Sequence, residues 1–385
     1  MFDEFTYAQK ISPVKTVFNH RAPDPLLKVC VVLPVKDEEE NILSTLHALR
    51  SQKDLQNNTL SPRVYEILLL ANNCLDNTFH IACEYAKSHP EFALHVTSVQ
   101  LTADLAHVGF ARKMLMDEAS RRFSLLQKNS GIIASTDGDT IADNKWIAHI
   151  IAEIEKGAEA VGGKIDTVST EISCEEYYLA DEKYRLLLAQ AESIVDPSLH
   201  DPWPRHFQYF GANLAIKNSV YEAIGGLPAR RFLEDNALHE ALFKRDIKIR
   251  KSPHVRVQTS PRLAGRVEIG FSEQLRTWAQ MKEEQRAQFV PSATEMITLY
   301  DIRNRMRRLW LQRHVELTST VVHRIAQELH IDPEWLETSI NVCAHFGELW
   351  LSIEERRNSG QWQNQFPQED IFTTIDRLES FIASN

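Results

Sequence analysis

Cysteine is scarce and scattered. The five in this chain of 385 residues, Cys30, Cys74, Cys83, Cys174 and Cys343, form no CxxC pair. That argues against a zinc site or a disulfide scaffold and reads as reduced thiols. Glycine, at 13, and proline, at 15, are too few for collagen-like or low-complexity sequence. A basic surplus is absent: 43 Lys and Arg against 53 Asp and Glu leave a net charge of −10. Such a chain has no global electrostatic reason to coat a nucleic acid. No apolar run approaches the roughly 18 residues that would cross a bilayer. The opening Met1-Phe2-Asp3-Glu4-Phe5 has no basic stretch leading into an apolar one, so no signal peptide is evident. These absences together lead us to expect a cytoplasmic protein without a nucleic-acid partner or an integral membrane segment.

What is present is an ordinary globular mix, 43% apolar and 25% charged, in a length that suits two or three domains. Residues 1–25 carry no period and hold Pro13, Pro23 and Pro25, so they read as an irregular lead-in. From Lys28 the pattern changes. Lys28–Val35, Val64–Ala71, Ala93–Val99 and Gly131–Thr136 are apolar runs of strand length, and the first two read as strands buried on both faces. Between them Ile42, Leu46 and Leu49, then Ala111, Leu115, Ala119 and Phe123, recur at helical spacing. Asp37 or a neighbouring acid suits the start of the first helix. Strand and helix alternating every 30–35 residues or so predicts an α/β fold: a mostly parallel sheet flanked by helices. Beyond about residue 270 amphipathic helices dominate, through Val321, Ile325 and Leu329, then Phe346, Leu349, Trp350 and Ile353. The expected division is a catalytic α/β domain over 26–268 and a helical C-terminal domain over 269–385.

Ligands of such sheets sit outside the carboxyl ends of the strands, so the polar clusters after Val35, Ala71 and Thr136 converge on one rim. The sharpest cluster is Asp137-Gly138-Asp139-Thr140. Two carboxylates around a glycine at a strand end offer hard oxygens that suit Mg²⁺ or Mn²⁺; the ordinary alternative is a solvated turn. Glu234-Asp235 opens a helix carrying Leu238 and Leu242. Acids there are ordinary dipole partners, yet a carboxylate so held is also a general base toward a hydroxyl. Gly211-Ala212-Asn213 and Gly225-Gly226 permit close backbone approach or positive φ. His254 is a candidate metal ligand, the alternative being a surface histidine. Gly157–Gly162 looks like a phosphate loop but runs on as Gly163-Lys164-Ile165 without the required GK[ST], and no GxGxxG follows the first strand.

Taken in order, these segments resemble a family-2 glycosyltransferase of the GT-A fold, over about Val29 to Gly270. The resemblance is carried by Val31–Ile42, by Leu69–Thr78, by Gly109-Phe110-Ala111-Arg112-Lys113 and by Thr136-Asp137-Gly138-Asp139 at the DxD position. It continues in Phe210–Ala215 with Ile224-Gly225-Gly226-Leu227, in Glu234-Asp235, and in Thr259-Ser260-Pro261-Arg262 with Gly265-Arg266. Where the family often has an aspartate closing the second strand, this chain has Ala71 followed by Asn72 and Asn73. The sequence Gln274-Leu275-Arg276-Thr277-Trp278 departs in spacing from the QxxRW motif of processive members, which argues against a polysaccharide synthase.

The resemblance implies a metal-dependent hexosyltransferase using a nucleoside-diphosphate sugar. Pro34, Val35, Glu38, Asn72, Asp76, Arg112, Asp137 and Gly138 would hold the donor, and Asp139 with His254 the Mg²⁺ or Mn²⁺. Gly211, Ala212, Asn213 and Glu234 would face the acceptor, and Asp235 would take its proton. The alternatives are a catalytically idle nucleotide-sugar binding protein and a metal-dependent phosphohydrolase. The segment Asp301–His314 interleaves Arg303, Arg305, Arg307, Arg308 and Arg313 with Trp310. It could lie on an anionic membrane; the preferred reading is a packed helix whose arginines pair with acids, and a small soluble acceptor.

Overall fold

The computed structural model describes residues 18, 22–167, 174–228, 230, 233–259, 271–314, 319–357 and 361–385. Most of the lead-in and the Ser260–Gly270 part of the expected tail motif lie outside them. The first part of the chain alternates as read: β1 (Val29–Val35), α1 (Ile42–Arg50), β2 (Tyr65–Asn72), α2 (Thr78–Ser88), β3 (Leu94–Val99), α3 (Val108–Leu125) and β4 (Ile132–Ser135). It continues through β5 (Thr140–Ala142), α4 (Trp146–Glu155), β6 (Ala160–Thr167), α5 (Glu175–Val195), β7 (Leu214–Lys217), α6 (Asn218–Ala223), α7 (Glu234–Phe243) and β8 (Ile249–Thr259). These eight strands form one sheet in the order β3-β2-β1-β4-β7-β6-β8-β5. Only β7 and β5 oppose the common direction, so the sheet is mostly parallel as expected.

Every residue of β1 and of β2 is buried. Alternate side chains of β1 feed opposite cores, as a period of two requires. Val29, Val31, Leu33 and Val35 join Ile42, Leu46, Leu49 and Trp146 on one face. Cys30 and Val32 join Leu115, Phe123, Tyr221 and Leu238 on the other. Glu66 breaks the apolar run of β2, and it is 3% exposed. The Arg122 guanidinium from α3 meets it with two hydrogen bonds of 2.6 Å. Burial alone would raise the pKa of Glu66, but Arg122 and His95 hold it down at about 2.

The helical part holds α8 (Phe271–Glu283), α9 (Ala293–Gln312), α10 (Ser319–Glu328), α11 (Pro333–Val342), α12 (Phe346–Arg357), α13 (Gln361–Gln365) and α14 (Ile371–Ala383). A two-strand ribbon of β9 (Phe289–Val290) and β10 (Glu369–Asp370) also lies here. At two residues each, these strands are too short to leave a sequence period. One core gathers Ile302, Met306, Ile325, Trp350 and Trp362. A second unites α5 with α9 and α14 through Tyr184, Ala191, Ala293, Ile375 and Leu378, so α5 serves both halves. Trp278 of the QxxRW look-alike is buried with Leu275 and Cys174, anchoring α8. Arg303 pairs with Glu192 and Asp196, Arg305 with Asp301 and Glu328, and Arg307 with Asp196. Those arginines are spent on carboxylates of the fold. Among the described residues no helix is long and apolar enough to cross a membrane.

Candidate active site

The rim is assembled by register. Ser135, the last residue of β4, pairs with Leu214 of the antiparallel β7, so the turn Gly211–Asn213 stands beside Thr136-Asp137. Thr140 pairs with Thr259, which returns the chain into the sheet one residue after Asp139. The Asp137–Asp139 loop is thereby pinned at both ends. Its glycine lies flat on the β1 loop: a Cβ at Gly138 would come 2.8 Å from Val35 Cγ1 and 3.0 Å from Glu38 Cγ. The Thr45 hydroxyl donates to the Gly138 carbonyl at 2.9 Å. Asp137 and Asp139 are both half-buried.

Arg112 joins the loop to the opposite wall. It is 3% exposed, donates to Ser135 Oγ at 3.1 Å and to Asp137 Oδ1 at 2.6 Å, and its remaining arm binds Glu234. Burial would lower the Arg112 pKa, but Asp137 and Glu234, with Asp235 beyond, raise it. Glu234 moves up because burial outweighs Arg112. A Cβ at Gly211 would lie 2.7 Å from Arg112 Cζ, so that glycine leaves room for the guanidinium. One buried cation therefore sets the spacing between the two acidic motifs. Glu234 is its buried partner, 6% exposed.

Asp235 begins α7 after Leu233, whose φ of 56° is left-handed. It is half-buried. Its Oδ2 accepts the Gly211 N–H at 3.3 Å, and its Oδ1 accepts the Asn236 N–H at 2.9 Å. The first turn of a helix favours the charged carboxylate. Asp235 thus keeps a defined orientation next to the Gly211-Ala212 backbone.

The loops after β1 and β2 are laced to each other. Asp37, at φ 50°, accepts the Leu75 N–H at 2.7 Å and does not begin α1, which starts beyond a turn at Ile42. Asp76 accepts the Glu39 N–H at 3.0 Å and the Thr78 hydroxyl at 2.5 Å. Ligating atoms of Asp37, Cys74 and Asp76 lie within 4.8 Å of one another, but these carboxylates are occupied holding loop N–H groups, and a thiol is a poor match for a hard cation. Asp76 accordingly braces the rim. Two groups are left wanting: among the described residues the buried Asn72 Oδ1 and Thr136 Oγ1 have no hydrogen-bond partner. Both stand at strand ends on the rim, where a bound ligand can satisfy them.

Two expected residues are placed elsewhere. Asn213 is 0% exposed and fully engaged: its Oδ1 accepts Trp146 Nε1–H at 2.8 Å, and its Nδ2 donates to the Lys164 and Val255 carbonyls. It ties β6, β8 and α4 together. His254 sits in a bulge of β8 opposite Gly163-Lys164 and stacks on His149 of α4, centroids 5.5 Å apart. Thr259, paired beside Asp139, is five residues further along β8, roughly 15 Å at strand rise. The structure does not bring His254 to Asp139. Sequence reasoning missed Tyr209, which stacks on His239 with centroids 4.0 Å apart; the spacing Asp235 to His239, one helical turn, was the available signal.

Pinned acidic loops thus lie at the carboxyl rim of a mostly parallel sheet, bridged by one arginine to an acidic helix start. The family model of glycosyl transferase family 2 matches residues 30–222, half of the chain, and the chain belongs to that family. It is similar to glycosyltransferase AglE of Haloferax volcanii, 23% identical over 201 residues, covering 52% of this chain and 56% of that protein. The match thus spans little more than half the length of that relative. Among solved structures it is similar to S. aureus TarS in complex with UDP, with a TM-score of 0.43 and 12% identity over 87% of this chain and 92% of the other. Another is the mannosyltransferase PcManGT from Pyrobaculum calidifontis with GDP-Man and Mn²⁺, with a TM-score of 0.43 and 15% identity over 95% and 89%.

Proposed function

We propose that this protein is a divalent-metal-dependent hexosyltransferase that moves a sugar from a nucleoside diphosphate to a hydroxyl of a small acceptor presented in solution. The observation that carries the reading is Arg112, which holds the Asp137 loop and the Glu234-Asp235 helix start on either side of one rim. A donor lying across that rim has Pro34, Val35, Glu38 and Asn72 toward its base and Asp137-Gly138 toward its ribose. The orphan Asn72 carbonyl suits an N–H of the base. Asp139 supplies the hard oxygen that Mg²⁺ or Mn²⁺ prefers, next to the flattened Gly138; His254 is not part of this set. Such a cation, when bound, offsets charge on the departing diphosphate.

The chain's own residues do the rest. Arg112, buried and held by Ser135, Asp137 and Glu234, adds positive potential beside the diphosphate at little cost of reorganisation. The Gly211-Ala212 backbone lets the acceptor approach Asp235, which takes the hydroxyl proton as the new bond forms in an inverting reaction. With Arg303, Arg305 and Arg307 spent on internal carboxylates, the basic helix has little charge left for a lipid surface, which supports a dissolved acceptor.

The test is a panel of nucleotide sugars with Mn²⁺ or Mg²⁺, read as released nucleoside diphosphate. Turnover of one donor, abolished by chelation and by Asp139→Ala, is the expected result. Donor binding without release under any acceptor condition marks an idle binding protein. Hydrolysis of phosphate esters in place of sugar transfer marks a phosphohydrolase.

A further inference from the structure

The end of α8 and the starts of α5 and α14 border a cavity of about 410 Å³, within the range of small-molecule sites. None of the rim residues lines it. On the α8 side the Arg286 N–H donates to the Met281 carbonyl at 2.9 Å and the Gln285 N–H to the Lys282 carbonyl at 3.1 Å. This pairing closes the helix, with Gln285 at φ 51° in the left-handed place that glycine usually takes. The Tyr177 hydroxyl, from the first turn of α5, donates to the Arg286 carbonyl at 2.7 Å and fixes that turn. On the α14 side the Ile371 N–H donates to the Gln288 carbonyl at 2.8 Å. Asp370 Oδ1 caps α14 by accepting the Phe372 and Thr373 N–H groups at 3.0 and 3.3 Å. Hydrogen bonds to the backbone thus hold all three walls in place.

The lining is polar and balanced in charge. Glu176 and Asp370 stand against Lys282 and Arg286, and Arg286 already meets Glu284 at 2.7 Å. Such a set has no cationic surplus to draw an anion. Gln288, which also lines the cavity, is 8% exposed. Among the described residues its buried Oε1 has no hydrogen-bond partner. A bare amide oxygen is costly to bury, and a molecule in the cavity can supply the missing donor. A hydroxyl suits an amide at either end, because it donates to the oxygen and accepts from the nitrogen. The exposed Glu176 adds a carboxylate from α5. Phe372 lines the same cavity and is 52% exposed, which leaves an apolar ring that a ligand can cover. A molecule with many hydroxyls, no net charge and one apolar face matches this lining.

We propose that this cavity is a binding site for a neutral saccharide, seated with one face of its ring on Phe372. Its hydroxyls hydrogen-bond the Gln288 amide and the Glu176 carboxylate. The site takes a sugar free of nucleotide and metal, and it stands whether or not the rim transfers sugar.

Saturation-transfer NMR titrations on the full-length protein, with chelator and without nucleotide, test the site. The probes are glucose, mannose and N-acetylglucosamine, with glucose 6-phosphate and glucosamine as charged counterparts. Saturable binding of at least one neutral sugar, tighter than either charged counterpart, is expected. Phe372→Ala and Gln288→Leu should each weaken it roughly fivefold or more. Phe372 is exposed, so its variant reads the site even where Gln288→Leu disturbs the fold. Asp139→Ala, on the rim, should leave the affinity within twofold. No saturable binding of any neutral sugar overturns the proposal, and so does tighter binding of a charged counterpart. Binding that Phe372→Ala leaves within twofold, or that Asp139→Ala abolishes, puts the sugar elsewhere and overturns it too. Failure of the nucleotide-sugar panel touches none of these readouts, so the two readings fall separately.

Discussion

Gly211 needs no left-handed backbone; what excludes a side chain there is space, because Arg112 Cζ would stand 2.7 Å from a Cβ. The guanidinium cannot step aside without releasing Ser135, Asp137 or Glu234. Gly211→Ala is therefore expected to shift Arg112 and cut kcat/KM by roughly a hundredfold, the usual consequence of a misplacement near 1 Å. Initial rates on a variant with native circular dichroism check this, and an unchanged rate shows that Arg112 tolerates displacement. Asp235 is a different case, since its neighbours orient it without neutralising it. Asp235→Asn keeps the size and loses the basicity, so kcat is expected to fall roughly 10²–10⁴-fold with donor affinity nearly intact. Collapse of donor affinity with kcat preserved would assign it to binding.

Among the elements, α9 shows how a basic helix can be structural. Asp196, just past α5 and 3% exposed, accepts Arg303 Nε at 2.5 Å and both terminal nitrogens of Arg307. This single carboxylate joins α5 to α9 and so fastens the helical part to the sheet. Removing its charge leaves Arg303 with Glu192 as its remaining carboxylate and Arg307 without Asp196, a loss of up to about 3–5 kcal/mol where buried pairs have been broken. Asp196→Asn is expected to lower the urea midpoint accordingly at neutral pH. A midpoint within experimental error of the parent would show that Glu192 alone suffices for Arg303.

The whole molecule should weaken on acidification in two stages. His206 is 3% exposed; its Nδ1 accepts the Gln208 N–H at 3.0 Å, and its Nε2 faces the Gly162 and Ser252 carbonyls. Burial draws it from 6.5 to about 3, and His239 is drawn to about 4. The unfolded chain binds these protons first, so stability is full above about pH 6.5 and falls as the pH drops toward 4, by roughly 1 kcal/mol per pH unit for His206. Glu66 and Glu192, both held at about 2 in the fold against an ordinary 4.5, keep their contribution above 4.5 and lose it below. Denaturation midpoints across pH 4–8 test the first stage. His206→Gln should flatten the slope between 6.5 and 4, and an identical slope in that variant would discount His206.

The alternation of strands and helices was written locally. Strands buried on both faces must be apolar throughout, and Ala111, Leu115, Ala119 and Phe123 of α3 must recur every four residues to meet the sheet. Asp137, Asp139, Glu234 and Asp235 were legible for the same reason, as short acidic motifs at element ends. The three-residue β5 was not, being too short for a period. Nor was the division of labour among polar residues. Asn213 and Glu234 read in sequence as acceptor-facing groups; the fold buries the first among Trp146, Lys164 and Val255 and the second against Arg112, 122 residues away. His254 is carried by a bulge of β8 onto His149 of α4 and away from Asp139. Sequence alone determined the longer strands of the sheet and which loops carry acid. Only the tertiary structure decided which charges pair, because pairing depends on distances between segments that no local period encodes.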